Sequence, residues 1–171
     1  IMGGVLSVMD MSSMILAYGA PELSLMMAGH TEFAHYAGLP LWQTGGCTDS
    51  KTFDEQAITE GSLSVFFSAL TGGDLCHDVG YTESAMTGSV FQLTAMDEAI
   101  GYARRITRGI EVNEDTLAVD VINRVGPNGH YLKDEHTRRY YKSEYWLPNL
   151  IDRTSYEDWE LMGGKSFKDR T

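Results

Sequence analysis

The sequence predicts an α/β protein assembled from parallel strand, loop and helix units. Three observations predict it. Short apolar runs at Val5-Leu6-Ser7-Val8-Met9, Leu39-Pro40-Leu41-Trp42-Gln43 and Leu75-Cys76-His77-Asp78-Val79 recur about 34 residues apart, so Met9, Gln43 and His77 mark one beat. Between the runs, apolar residues repeat at three and four positions, the period of a helix. Polar or glycine-rich residues follow each run, as they do where a strand gives way to a loop. Strands alternating with helices are the signature of βαβ units, and a parallel sheet carries its chemistry in the loops after its strands. Those loops are residues 10–19, 44–51 and 77–87.

The elements follow in order. From Pro21, the positions Leu23, Met26, Met27, His30, Ala34 and Ala37 form one helical stripe, with proline suited to the first turn and Gly38 to the end. A second helix is expected over residues 52–70, carrying Phe53, Ala57, Leu63, Phe66, Phe67 and Leu70, and stopped by Gly72-Gly73. A third, broken at Gly88, is expected over residues 83–108, most regular at 97–108. After Gly109 strands disappear and short helices alternate with loops, at residues 114–125, 134–146 and 155–161. The tail is dense in aromatics, among them Tyr140, Tyr141, Trp146 and Trp159, which suggests a cover for the outside of a barrel or a contact with a second subunit.

Size and charge bound the reading. A closed (β/α)8 barrel needs roughly 250 residues, whereas this chain has 171. The chain therefore reads as the last part of something larger, or as a half-barrel that pairs with a partner. A formal net charge of −11 with 13 Lys and Arg argues against a nucleic-acid partner. No apolar stretch approaches the ~20 residues of a membrane span, and an acidic cytoplasmic protein is the plain expectation. Cys47 and Cys76 show no paired spacing and read as reduced, buried thiols. Together with His77 they form a conceivable zinc set, but Cys76 and His77 are adjacent and point to opposite faces of a strand, so no metal is expected.

Two loops hold candidate chemistry. In Gly45-Gly46-Cys47-Thr48-Asp49-Ser50-Lys51 the glycines admit close backbone approach while Asp49, Ser50 and Lys51 supply charge and hydrogen bonds. It lacks the spacing of a phosphate loop. Asp49 is alternatively a helix N-cap, and Lys51 a solvated lysine at a helix start. In His77-Asp78-Val79-Gly80-Tyr81, with Glu83 and Ser84 beyond, an imidazole, two carboxylates and a phenol share one loop. Strand alternation puts His77 and Asp78 on opposite faces, so one of them alone should reach a site directly.

Five motifs in register, Tyr18-Gly19-Ala20-Pro21-Glu22, Gly46-Cys47-Thr48-Asp49-Ser50-Lys51, His77-Asp78-Val79-Gly80-Tyr81, Arg108-Gly109-Ile110-Glu111-Val112 and Gly126-Pro127-Asn128-Gly129-His130-Tyr131-Leu132, resemble the trimethylamine methyltransferase family. The match covers nearly all of the chain. It implies the last three strand-helix units of a (β/α)8 TIM barrel in residues 1–109, followed by a C-terminal helical extension, residues 110–171, packed on that barrel. It also implies methyl transfer from a methylated amine to the Co(I) of a separate corrinoid protein, so the corrinoid is carried by the partner and no cofactor is bound by the chain itself. Archaeal trimethylamine enzymes carry pyrrolysine in or near residues 44–49, where this chain has standard residues. The resemblance is thus to the branch without pyrrolysine, which acts on glycine betaine and related quaternary amines.

A quaternary ammonium has no proton to donate and is recognised by aromatic faces and diffuse negative charge. Tyr18, Trp42, Tyr81 and Phe91 are candidate walls, Glu22, Asp49, Asp78 and Glu83 candidate carboxylates, and Lys51 a cation for a carboxylate-bearing substrate. The resulting site has Asp78, His77 and Tyr81 as the chemical group and Tyr18, Glu22, Gly46, Asp49, Lys51 and Glu83 as substrate contacts. Two readings compete. A corrinoid-binding module needs D-x-H-x-x-G, and Asp74-Leu75-Cys76-His77 has one residue too many. A non-catalytic assembly protein would instead use the aromatic tail to make a homo-oligomer.

Overall fold

The computed structural model describes residues 1–171 as an α/β arrangement of five short strands and eight helices. Three strands form a parallel sheet in the order β1 (Met2–Gly3), β2 (Leu41–Thr44), β3 (Leu75–His77). The first strand therefore lies before Val5, where Gly4 turns out of the sheet at φ 139°. Residues 8–17 fold back on themselves instead of extending: Met9 bridges Leu16, Asp10 N–H donates to the Ile15 carbonyl, and the Asp10 carboxylate accepts from Ser12 N–H and the Ser12 and Ser13 hydroxyls. Local side-chain capping competes successfully with the ladder there.

Helix α1 (Pro21–Tyr36) opens on its proline as expected. Helix α2 (Glu55–Thr71) starts later than its apolar pattern, because the Asp54 carboxylate caps Ala57 N–H, and it ends at Gly72 with φ 78°. Between β3 and the next helix stands an unforeseen antiparallel hairpin of β4 (Tyr81–Thr82) and β5 (Thr87–Gly88). Gly88 is consequently a hairpin residue and breaks no helix. Helix α3 (Val90–Thr107) begins after it, capped by Ser89 on Gln92 N–H.

The tail is a series of short helices joined by loops. The segment expected at 114–125 is two helices, α4 (Glu114–Leu117) and α5 (Val119–Val125), separated by Ala118 in the left-handed region at φ 51°. Helices α6 (Glu135–Glu144), α7 (Tyr156–Leu161) and an unforeseen α8 (Phe167–Arg170) complete it. No helix is long and apolar enough to cross a membrane.

Leu41 and Gln43 are buried on the helix side of β2, where the Gln43 amide donates to the Ser68 carbonyl and hydroxyl of α2 at 2.9 and 2.7 Å. Trp42 and Leu75, on the opposite face, stay about half exposed. The apolar core lies between α2 and α3, around Val65, Ala95, Met96 and Ala103, with Phe167 of α8 against it. Helix α3 also anchors the tail. The buried Glu98 carboxylate accepts the backbone N–H groups of Asn149, Leu150 and Ile151 at 2.9–3.1 Å.

Burial by itself raises the Glu98 carboxyl, but those three donors and the nearby Arg153 guanidinium more than offset it and hold the group below its ordinary value. Its stabilising contribution is thus present above the unfolded value of about 4.3 and is lost as pH falls through the lower folded value. Replacing Glu98 by Ala strands the three donors and costs about 1–3 kcal/mol. Calorimetry at neutral pH should show Tm lower by about 2–10 °C, a difference that shrinks in strongly acidic buffer.

Candidate functional site

The loops after β2 and β3 run side by side and continue the sheet's hydrogen bonding past its strands. Gly45 N–H donates to His77 O, Gly80 N–H to Gly46 O, Thr48 N–H to Tyr81 O, Ser84 N–H to Thr48 O and Glu83 N–H to Ser50 O, at 2.8–3.1 Å. Gly46 belongs to this frame. Its φ of 80° strains any side chain, and its N–H bond to the Ser64 hydroxyl at 2.9 Å and its tight packing against Val65 and Val79 keep it in place.

At the strand ends, Thr44 pairs with His77. The His77 Nδ1 lies 2.9 Å from Asp78 Oδ1, and Thr44 Oγ1 lies 3.3 Å from His77 Nε2 and 3.5 Å from Asp78 Oδ2. The expectation that His77 and Asp78 face opposite ways fails because Asp78 has left the strand. At φ 66° it turns its carboxylate back onto the neighbouring imidazole. A carboxylate at Nδ1 favours a proton on that nitrogen. The Trp42 indole stands edge-on to the imidazole, with ring centres 5.1 Å apart.

Asp49 caps no helix, that role belonging to Asp54. Its Oδ1 accepts from Tyr18 N–H at 2.8 Å and the Ser84 hydroxyl at 2.9 Å, and its Oδ2 from Gly19 N–H at 2.9 Å. Glu60 of α2 backs it, accepting Asp49 N–H at 2.9 Å and the Thr48 hydroxyl at 2.6 Å. Glu60 presses so closely on Gly19 that a Cβ there would fall 2.1 Å from its carboxylate. Ser84 sits in a run of three left-handed residues, Glu83, Ser84 and Ala85, at φ 54°, 53° and 66°. Such backbone costs about 1–2 kcal/mol per L-residue and needs outside support.

A cavity of about 450 Å³ opens between the three loops, lined by Tyr18, Lys51, Glu83 and Ser84 together with Met9, Met14, Met86, Ile15 and Leu16. Burial, and then the negative charge of Asp78, raise the Tyr18 phenol above its ordinary value, so its ring stays neutral at physiological pH. Lys51 Nζ donates to the Asp49 carbonyl at 2.7 Å. Glu83 accepts from the Thr87 hydroxyl at 2.7 Å. Of the residues singled out from the sequence, Tyr18, Lys51 and Glu83 line the cavity and His77 and Asp78 form the strand-end group. Glu22 is exposed in the first turn of α1 and Tyr81 is exposed on β4, both away from the cavity lining, while Phe91 stacks on Phe53. Thr44 and Glu60 were missed, and Ser84 was named in its loop without a role. Thr44 had a signal, since it stands 33 residues before His77, one step off the beat.

No group of three or more His, Cys, Asp or Glu side chains is placed to hold a metal ion. Cys47 is buried as expected, and burial followed by the charge of Asp78 pushes its thiol up to about 12. Cys76, expected to be buried, is exposed, although partial burial still raises its thiol above the ordinary value. Both thiols are raised, so access separates them: iodoacetamide at pH 8 should label the exposed Cys76 of the folded protein, more slowly than a free thiol, and spare the buried Cys47 until denaturant is added. Peptide mass spectrometry reads both sites.

The model of the trimethylamine methyltransferase (MTTB) family matches residues 1–171. Over 168 residues the chain is 36% identical to trimethylamine methyltransferase MttB of Desulfitobacterium hafniense strain DCB-2, covering 98% of this chain and 34% of that protein. It is 36% identical over 160 residues to glycine betaine methyltransferase of Desulfitobacterium hafniense strain Y51, covering 93% of this chain and 33% of the relative. Against trimethylamine methyltransferase MttB1 of Methanosarcina mazei it is 33% identical over 165 residues, covering 95% and 33%. The chain thus spans about a third of the length of these curated relatives. It belongs to the trimethylamine methyltransferase family.

Proposed function

We propose that this chain supplies part of the active site of an enzyme that moves a methyl group from a quaternary amine to the Co(I) of a corrinoid carried by a separate protein. The observation that carries the reading is the cavity between the three loops, with Tyr18, Glu83 and Lys51 on its walls, in a chain whose relatives are named for trimethylamine and glycine betaine. A methylated ammonium is held by aromatic faces and negative charge, and Tyr18 and Glu83 offer both. Met9 and Met14 add a soft apolar wall. Lys51 suits a carboxylate on the same molecule, so a betaine fits this lining better than trimethylamine does.

The partner's corrinoid is the methyl acceptor and supplies the nucleophile. The carbon–nitrogen bond breaks with its electron pair passing to nitrogen, so the amine departs neutral and the chain has no proton to move. What remains for its residues is alignment and exclusion of water. His77 and Thr44 hold the Asp78 carboxylate at the strand end, where its charge acts on the Tyr18 side of the cavity. We also read the sheet as the last three strands of a (β/α)8 barrel formed by residues 1–109, with residues 110–171 as its helical extension. Trp42 and Leu75, half exposed opposite the helices, then face the barrel interior.

The test is to incubate the full-length protein, and this chain beside it, with a reduced corrinoid and a panel of quaternary amines while following the cobalt spectrum. Methylation of cobalt with glycine betaine or a relative is expected. No methylation with any amine would leave the assembly reading in its place. Asp78→Asn keeps the left-handed backbone but removes the charge, and Tyr18→Leu removes the ring. Each should raise KM about tenfold, the scale of a cation–π or charge contact of about 1–2 kcal/mol, with the folded circular dichroism spectrum intact.

A further inference from the structure

We propose that Asp49 is a positioning residue of this site and touches no substrate: its carboxylate is the tie that joins the loop after β1 to the paired loops after β2 and β3 around the cavity. This inference rests on the reading of the cavity as the amine site. It departs from the expectation that Asp49 binds the substrate itself.

Both Asp49 oxygens are already engaged by donors from two distant parts of the chain. The consecutive N–H groups of Tyr18 and Gly19 come from the loop after β1, and the Ser84 hydroxyl comes from the loop after β3. Two successive amides converging on one side chain need two acceptors and no donor, which a carboxylate offers and an asparagine does not. Asp49 is in turn held by its own N–H on Glu60, and Glu60 by Gln56 of the same helix, so the tie is referred back to rigid α2.

The groups held are cavity walls. Tyr18 lines one side, while Glu83 and Ser84 line another. Glu83 and Ser84 belong to the left-handed turn, a conformation that L-residues do not keep unaided. Releasing Asp49 therefore lets the Tyr18 ring and the Glu83 carboxylate drift apart, although neither has lost any chemistry of its own. Lys51 belongs to the same assembly through its bond to the Asp49 carbonyl.

The experiment compares Asp49→Asn and Ser84→Ala with wild type in the full-length protein, using amide hydrogen exchange and steady-state kinetics with glycine betaine. Asp49→Asn is expected to speed exchange at Tyr18 and Gly19 at least tenfold while leaving α3 amides unchanged. Ser84→Ala, which removes a group with no charge to offer an ammonium, is expected to speed exchange over residues 83–86 and to lower kcat/KM at least threefold. A rise in KM for Asp49→Asn with unchanged exchange at Tyr18 and Gly19, and a silent Ser84→Ala, would overturn the proposal in favour of direct substrate contact. Should Asp49→Asn fail to fold, Ser84→Ala decides alone, with unchanged exchange over 83–86 counting against the tie. The exchange arm needs no turnover. If the wild type methylates no corrinoid, the transfer reading falls while the exchange data still decide whether Asp49 binds the loops together.

Discussion

The pairing of β2 with β3, prolonged by backbone hydrogen bonds between the loops that follow, is the constraint on which the site depends. The strands themselves are short, four and three residues. A ladder this brief would ordinarily end in two independent loops. Here Gly80, Thr48, Ser84 and Glu83 keep donating across the gap, so backbone groups that would otherwise need water or side chains are satisfied by each other. The consequence is a rigid pair of loops on which Asp78, Glu83 and Lys51 take defined places. The loop after β1 has no such ladder and is joined through side-chain acceptors instead.

The elements whose cause is local were legible in the sequence, and those whose cause is tertiary were not. Helix α1 begins at its proline and α2 stops at Gly72 because these residues act through their own backbone preferences. The run at Val5-Leu6-Ser7-Val8-Met9 looks like a strand by composition. It is not one, because the Asp10 cap and the Met9–Leu16 bridge turn the chain before a ladder can extend. The beat placed Gln43 opposite His77, but the register sets Thr44 there. That single step moves the strand-end partner from a residue facing the helices to one facing the site. The left-handed Asp78 was illegible for a related reason. Alternation assumes an extended backbone, and Asp78 abandons it one residue after β3 ends.

The site was legible in part. Tyr18, Lys51 and Glu83 were chosen for their chemistry at the ends of strands, and all three line the cavity. Gly46 and Asp49 were chosen on the same grounds and hold the frame of that cavity rather than its lining. Sequence shows which side chains are able to bind a ligand. It does not show which of them are already occupied by the protein's own groups, as the Asp49 carboxylate is by Tyr18, Gly19 and Ser84.

The same distinction recasts the acidity of the chain. A net charge of −11 reads first as a statement about partners, yet much of it is committed internally to amide donors. Asp54 caps α2, Asp74 holds Leu41 N–H at the start of β2, Glu60 holds Asp49 N–H, and Glu98 gathers three N–H groups of the tail. Asp134, Asp152 and Asp169 do the same at tail turns and helix starts. Acceptor-only side chains suit such work, since loops and helix starts leave N–H groups without backbone partners. In a chain of short strands and short tail helices those orphaned donors are numerous. The carboxylates are therefore as much a substitute for regular secondary structure as a source of surface charge.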